Sequence, residues 1–377
     1  MHCGFTVMNW RASYDFIPLF WINTLLLGIV SSFVQTGNED SLYFFTKLTA
    51  CVVSGVLFDY LPTKAYLISL YLLGFFGGFL HYLPVVWITT AQEVLILAYV
   101  CEVLVDNCKF TGLAEIMGLQ IVSKALGSIL HLLLSEFISL YIFAPATALV
   151  LFIVNLAVFQ ETPKTSRPLF NPDNEKTVFP RFFGVIICLL VLFTSGSHLI
   201  LFPTLVQSSF MTPVVINMCK IFIVPLTFFC VLWFLRFKKI SLVLIFFLSA
   251  GIGSWPCFLS EYTEALGVLG TIATSVYCKC AGLVLLSRVL GPYYNGKYFG
   301  VGLGAQYVFG SFFLDDWWAV FIIGISASVV SVGCLAPGLK YCEYHRDYVI
   351  GRLNSDTPSN KKVNFKIKLK RASVIGI

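Results

Sequence analysis

Charged side chains are scarce in this chain of 377 residues. Asp, Glu, Lys and Arg make up 12% of the sequence, whereas hydrophobic residues reach 58%. So little polar sequence cannot cover a water-soluble globule of this size. The composition therefore argues against a soluble enzyme.

Motifs for catalysis and for metal binding are also lacking. The twelve cysteines form no CxxC pair, and no histidines stand at metal-ligand spacing. Neither a phosphate-cradling glycine loop nor a nucleophile elbow is present, which disfavours an ATP-driven pump. We expect no enzymatic activity, no cofactor and no metal, and we interpret the cysteines as small buried hydrophobes.

The net charge of +6 does not indicate nucleic-acid binding, because the basic residues are interleaved with apolar runs and are densest at the end of the chain. The segment 341–377 is predicted to be a basic cytoplasmic tail that is attracted to anionic membrane lipid. Membrane lipid, and not nucleic acid, is therefore the expected partner.

What the chain has in abundance is apolar runs of about 20 residues, the length that crosses a bilayer as a helix. Six such runs precede residue 160 and six follow residue 181. The sequence thus predicts an all-α membrane protein of twelve transmembrane helices: an N-terminal six-helix bundle at 1–159, a cytoplasmic linker at 160–181 and a C-terminal six-helix bundle at 182–340. The helices are predicted at 16–34, 42–60, 65–82, 86–106, 112–134, 139–158, 182–203, 210–235, 240–259, 264–287, 298–314 and 317–339.

Loop charges support this count. Basic residues collect in every second predicted loop, and the alternate loops contain no Lys or Arg. By the positive-inside rule, the basic side and both termini are cytoplasmic. We expect the plasma membrane, and not an internal membrane, to be the location. The alternate loops carry instead Glu39, Asp40, Glu136, Glu261, Glu264, Asp315 and Asp316.

Four lysines fall within predicted helices 2, 5, 8 and 10: Lys47, Lys124, Lys220 and Lys279. A cation in hydrocarbon costs about 2.5–3.5 kcal/mol and usually faces a cavity or an ionic partner. Substrate binding is favoured for Lys124 and Lys220 near mid-span, whereas Lys47 is equally consistent with snorkelling at the outer surface. A lysine excess favours an anionic substrate, and a cavity with opposed charges favours a zwitterion.

Carboxylates on predicted helix 4 are candidates for proton coupling. Glu93 and Glu102 lie within that helix, and Asp106 follows one turn after Glu102. A carboxylate enclosed in a membrane cavity can bind and release a proton during transport. The alternative, which the sequence leaves open, is that these groups neutralise Lys109 and Lys124.

The segment between predicted helices 2 and 3 contains a short motif, Gly55-Val-Leu-Phe-Asp59 followed by Lys64. It resembles the loop signature of major facilitator transporters, with one lysine in place of the usual basic cluster. The resemblance implies two helical bundles around a central cavity. It also implies an inner gate at Gly55, Asp59 and Lys64.

A longer run resembles the folate-biopterin transporter family. The Asp-x-Leu-Pro form of the same loop is followed by Cys101-Glu-Val-Leu-Val-Asp106 and by Gly118-Leu-Gln-Ile-Val-Ser-Lys-Ala-Leu-Gly127, with glutamate and lysine in place of the usual aspartate and arginine. The resemblance implies proton-coupled transport of a pteridine such as folate. The residues at matching positions are Glu102, Asp106, Gln120, Lys124 and Gly127.

The sequence thus predicts a symporter that moves a small organic anion, folate or a related pteridine, together with protons by alternating access. The alternatives are a major facilitator transporter of another solute (amino acid, sugar or drug) and a polytopic membrane protein without transport activity. The substrate-binding candidates are Lys124, Lys220, Lys279, Gln120 and Asn217, and the coupling candidates are Glu93, Glu102 and Asp106.

Overall fold

The computed structural model describes residues 10–35, 41–103, 106–134, 139–159, 178–205, 213–235, 240–290, 295–312, 318–319 and 321–335, whose regular secondary structure is helical throughout. The helices are α1 (Trp10–Gln35), α2 (Ser41–Tyr60), α3 (Thr63–Gly78), α4 (Tyr82–Val103), α5 (Asp106–Leu134), α6 (Leu140–Val158), α7 (Val178–Leu205), α8 (Pro213–Leu235), α9 (Ile240–Ser254), α10 (Glu264–Leu290), α11 (Asn295–Phe312) and α12 (Phe321–Leu335).

The helices pack as two groups, one on each side of the central segment. In the first group α1 packs on α4, α5 and α6, while α3 packs on α4 and α6. In the second group α10 packs on α7, α8 and α9, and α7 also packs on α11. The groups meet where α2 packs along α11 and where α5 packs on α8. We call these groups the first and the second bundle.

Several helix boundaries differ from the predicted ones. Asp106 is the first residue of α5, and its assignment to helix 4 was wrong. Helix 9 ends at Ser254 and continues as the 3-10 turn Trp255–Leu259, because Pro256 cannot donate a helical hydrogen bond. Helix α7 begins at Val178, inside the predicted linker.

Seven helices in the described part of the chain are long and apolar enough to cross a bilayer. Segments of α1, α7 and α12 are apolar but shorter than that criterion, and α3 has 16 residues. The helical class is therefore confirmed, while the count of twelve spans stays a prediction.

The helices differ in how deeply they are enclosed. About 83% of the apolar window of α10 and 72% of that of α4 is buried within the protein, against 28% for α8. Large apolar side chains of α8 point outward at helical spacing, among them Phe222, Leu226 and Phe229. Glu93 on α4 and Lys279 on α10 are both buried in this interior.

Candidate functional site

A buried carboxylate links the two bundles. Glu93 on α4 accepts a hydrogen bond from the Lys279 ammonium of α10, with 2.5 Å between Oε1 and Nζ. Its other oxygen, Oε2, lies 3.8 Å from Nζ of Lys124 on α5. The side chain of Gln120, one turn before Lys124, also hydrogen-bonds Glu93. Two predicted lysines, one predicted carboxylate and one predicted amide thus meet at one point in the protein.

Lys47 is enclosed between aromatic rings. Its Nζ lies 4.0 Å from the ring centre of Tyr43 on α2 and 5.2 Å from that of Tyr307 on α11. The side chain is buried, so Lys47 does not snorkel to the outer surface as one interpretation had it. Because an ammonium is attracted to the face of an aromatic ring, this contact ties the first bundle to the second.

The four charged groups surround one small buried residue. The Cys51 thiol on α2 lies within electrostatic range of Lys47, Lys124, Lys279 and Glu93. Among these described groups, three ammonium ions face one carboxylate, which leaves a net charge of +2. We call Lys47, Glu93, Lys124 and Lys279 the charge cluster. An excess of buried positive charge attracts a negatively charged ligand.

A cavity of about 20 Å³ borders the charge cluster on the side of the first bundle. A space of this size holds one or two water molecules, so the conformation described here has no room in this cavity for a pteridine. A cargo of that size enters only if the bundles move apart. The cavity is lined by Thr24, Leu27, Gly28, Ser31, Thr89, Gln92, Glu93, Ile96, Leu97, Ile116, Gln120 and Lys124.

Asp59 caps a helix of the opposite bundle. Its carboxylate accepts backbone hydrogen bonds from Gly296 N–H at 3.1 Å and from Lys297 N–H at 3.0 Å, in the first turn of α11. Those N–H groups have no partner within their own helix, and a negative charge is favoured beside them. The capping bond therefore holds the end of α2 against the start of α11.

Glycines bring the backbones of α2 and α11 together. A Cβ atom at Gly296 would lie 2.5 Å from the carbonyl oxygen of Gly55, and one at Gly300 would collide with that of Cys51. Gly296, Gly300 and Gly304 are spaced by four residues and form one face of α11, a pattern typical of close helix pairs in membranes. Gly55 was predicted as a gate residue, whereas the packing face on α11 was not predicted, although its spacing could have identified it.

The third predicted gate residue has a different contact. The Lys64 ammonium donates a hydrogen bond to the carbonyl oxygen of Leu156, 3.0 Å away in the last turn of α6. A cation is favoured at the C-terminus of a helix, where carbonyl groups lack helical partners. This bond lies within the first bundle. Of the three predicted gate residues, Asp59 and Gly55 are the ones whose described contacts reach α11 of the second bundle.

Two further candidates, Lys220 and Asn217, contact each other. Lys220 donates a hydrogen bond to Oδ1 of Asn217, one turn earlier on α8, at 3.3 Å. Neither side chain lines the cavity beside Lys124. The side chains of Glu102 and Asp106 lie outside the described residues. Of the predicted set, the structure therefore brings together Glu93, Gln120, Lys124 and Lys279.

No protein-family model matches the chain, and no curated protein matches it. Solved structures do match over most of its length. The human organic anion transporter MFSD10 (TETRAN) superimposes with a TM-score of 0.60 at 12% identity, over 88% of this chain and 99% of that one.

Two further structures give the same result. FucP in the outward conformation, which is the E. coli fucose:proton symporter, matches with a TM-score of 0.57 at 11% identity, over 87% of this chain and 98% of its own. The nucleoside transporter NupG matches with a TM-score of 0.57 at 14% identity, over 86% and 99%. These three proteins are transporters, not enzymes. The chain has the fold of the major facilitator superfamily.

Proposed function

We propose that this protein is a secondary active transporter that moves a small organic anion across a membrane by alternating access. The observation that carries the proposal is the bond between Glu93 and Lys279, which joins the two bundles at a charge cluster of net positive charge. Buried ionisable groups between the halves of a helical membrane protein are costly, and they characteristically mark a transport pathway.

The charge cluster favours an anion over a zwitterion. Lys124 and Lys279 share a single carboxylate, so one positive charge is not compensated within this trio. A cargo carboxylate would compensate this charge, and folate supplies such a group.

Proton coupling follows from competition for the lysines. A cargo carboxylate that binds Lys279 and Lys124 displaces Glu93 from both. A buried carboxylate without an ammonium partner is strongly disfavoured in its ionised form, so Glu93 then binds a proton. Cargo and proton would therefore bind together, which makes the protein a symporter. Glu102 and Asp106 stay further candidates for coupling.

The contact between α2 and α11 supplies the gate. Asp59 and the glycines hold the predicted cytoplasmic ends of these helices together, and the cavity is closed to a large cargo in this state. Opening toward the cytoplasm requires that the Asp59 carboxylate leave the α11 N-terminus. In this mechanism Asp59 and Gly55 are gate residues, and Lys64 orients their loop through α6.

The test is uptake by the purified protein in proteoliposomes. Labelled folate, biopterin, an amino acid, a sugar and a simple dicarboxylate are compared under an imposed inward proton gradient. We expect uptake of an anion that falls at least tenfold in the Lys279→Met variant and is unchanged in Thr90→Val, a buried residue of α4 that does not line the cavity.

Two results would contradict the proposal. Uptake no greater than that of empty vesicles for every solute, from protein that is folded and monodisperse, would indicate a membrane protein without transport activity. Uptake of an amino acid or sugar in preference to every anion would indicate a different solute class.

A further inference from the structure

The cavity between α1, α4 and α5 is built entirely from the first bundle, yet it lies beside the contact between bundles. Its lining residues include Thr24, Ser31 and Thr89 with hydroxyl groups, Gln92 and Gln120 with amides, and Glu93 and Lys124 with charges. No role in the site was predicted from the sequence for Thr24, Ser31, Thr89 or Gln92. That these residues line one small space is a property of the fold.

The ammonium of Lys124 is the less completely neutralised member of the trio. Glu93 lies 2.5 Å from Lys279 but 3.8 Å from Lys124, so the closer ionic bond belongs to Lys279. The Lys124 side chain is 29% exposed, against 5% for Glu93 and 7% for Lys279. Since Lys124 lines the cavity, this remaining exposure provides room for a second negatively charged partner.

We propose that this cavity is a binding site for one small monovalent anionic group, which Lys124 holds by charge and the surrounding hydroxyl and amide groups hold by hydrogen bonds. The group comes from one of two sources: a halide ion in the absence of cargo, or a carboxylate of the cargo. The halide part stands without the proposed transport function, whereas the cargo part rests on it.

Charge and size both select this class of ligand. The lysines of the charge cluster repel a cation, and Lys124, which Glu93 only partly neutralises at 3.8 Å, attracts one negative charge. The cavity is too small for more than a single ion or a single carboxylate group. Gly28, which carries no side chain at this wall, allows α1 to approach α5 closely, because a Cβ there would collide with the Ser123 hydroxyl.

Glu93 also lines the cavity, but its negative charge is already engaged. One of its oxygens bonds Lys279, and its carboxylate also accepts a hydrogen bond from Gln120. An anion on the far side of Lys124 therefore interacts with an ammonium that Glu93 only partly neutralises. With the anion bound, the charges follow one another in the order Lys279, Glu93, Lys124 and anion.

The first experiment measures halide binding without any cargo. The full-length protein is purified in sodium sulfate, whose divalent anion the proposed monovalent site does not bind. Thermal stability is followed while sulfate is replaced by chloride, bromide or acetate at constant ionic strength. We expect a saturable stabilisation by each of these three, since a ligand that binds only the folded state raises its stability.

Variants locate the effect. Lys124→Met should abolish the saturable response and Lys124→Arg should retain it. Ser31→Ala, a smaller change, should weaken halide binding about tenfold, which is the loss of one hydrogen bond to a charged group. Thr90→Val is the matched control and should bind as the unmodified protein does. No saturable response in the unmodified protein, or an equal response in Lys124→Met, would overturn the proposal.

The second experiment distinguishes the two sources. If halide and cargo carboxylate occupy the same cavity, chloride raises the apparent KM for an anionic cargo in proteoliposomes and leaves the maximal rate unchanged. If uptake is independent of chloride while halide binding persists, the cavity holds a resident ion and not the cargo. If the protein binds halide but takes up no solute, the transport function is refuted and the cavity proposal stands. If it takes up an anion but binds neither halide nor acetate, the cavity proposal is refuted and the transport function stands.

Discussion

The side chains of Glu93 and Lys279 meet at 2.5 Å although the two residues are 186 positions apart in the chain. One lies on α4 of the first bundle and the other on α10 of the second. The carboxylate of the first bundle and the ammonium of the second thus neutralise each other across the contact between the bundles. A movement that separates the bundles must either supply another partner to each group or change the protonation of Glu93.

Removing Glu93 is expected to destabilise the protein more than removing Lys279. Glu93→Gln leaves two ammonium groups without a carboxylate, a loss that for buried pairs amounts to about 3–5 kcal/mol. Lys279→Met leaves Glu93 beside Lys124 and should cost less. The measurement is thermal unfolding of the purified variants, and the double variant should be more stable than Glu93→Gln alone. Equal losses for the two single variants would contradict the shared ion pair.

Asp59→Asn is expected to weaken the closed gate by about 1 kcal/mol, because the amide loses the charge that favours the α11 N-terminus. Double electron-electron resonance between genetically encoded spin labels at the exposed Tyr60 and Val301 should show a larger population of longer distances. Gly333→Ala on α12 is the control, because a Cβ there has nothing within 4 Å. A distance distribution in Asp59→Asn identical to that of the unmodified protein would argue against the gate.

Gly300→Ala is expected to separate α2 from α11. The added Cβ would collide with the carbonyl oxygen of Cys51, and helix backbone cannot yield as a flexible side chain can. The same spin-label distance should therefore lengthen, and stability should fall. Gly333→Ala on α12 is the matched control, because a Cβ there has nothing within 4 Å. An unchanged distance in Gly300→Ala would show that the helices do not depend on this close approach.

Asn23 and Asn155 form a reciprocal amide pair that joins α1 to α6, with both hydrogen bonds 3.0 Å long. Asn155→Leu leaves the buried amide of Asn23 without this partner, which costs about 1–3 kcal/mol. The double variant Asn23→Leu/Asn155→Leu should recover much of that loss, because no polar group is then stranded. Thermal unfolding of the three variants checks this, and a double variant less stable than either single one would contradict it.

The predicted orientation has a direct test at the turn before α10. Tyr262 is 98% exposed in that turn and belongs to a loop that the charge pattern assigns to the outer face. An epitope inserted after Tyr262 should bind antibody on intact cells, whereas one inserted after Leu61, between α2 and α3, should bind only after permeabilisation. The opposite result would invert the topology.

Apolar length and loop charge alone predicted much of this fold. A helix must satisfy its own backbone hydrogen bonds in lipid, so each long apolar run could be recognised without knowledge of its neighbours. Boundaries were predicted less well where a local effect shifted them, as at Pro256 and at Asp106. The α2–α11 contact was foreseen only in part, because a motif marks Gly55 as a gate residue but does not say which helix face it meets.

By itself the sequence determined that the chain is a helical membrane protein and that its interior contains lysines and carboxylates, because hydropathy and the cost of burying charge are local properties. Only the tertiary structure decided that Glu93 pairs with Lys279 and Lys124 while Lys64 bonds within its own bundle. Partner choice depends on which helix faces meet, and helices far apart in the chain meet through packing that no single segment encodes.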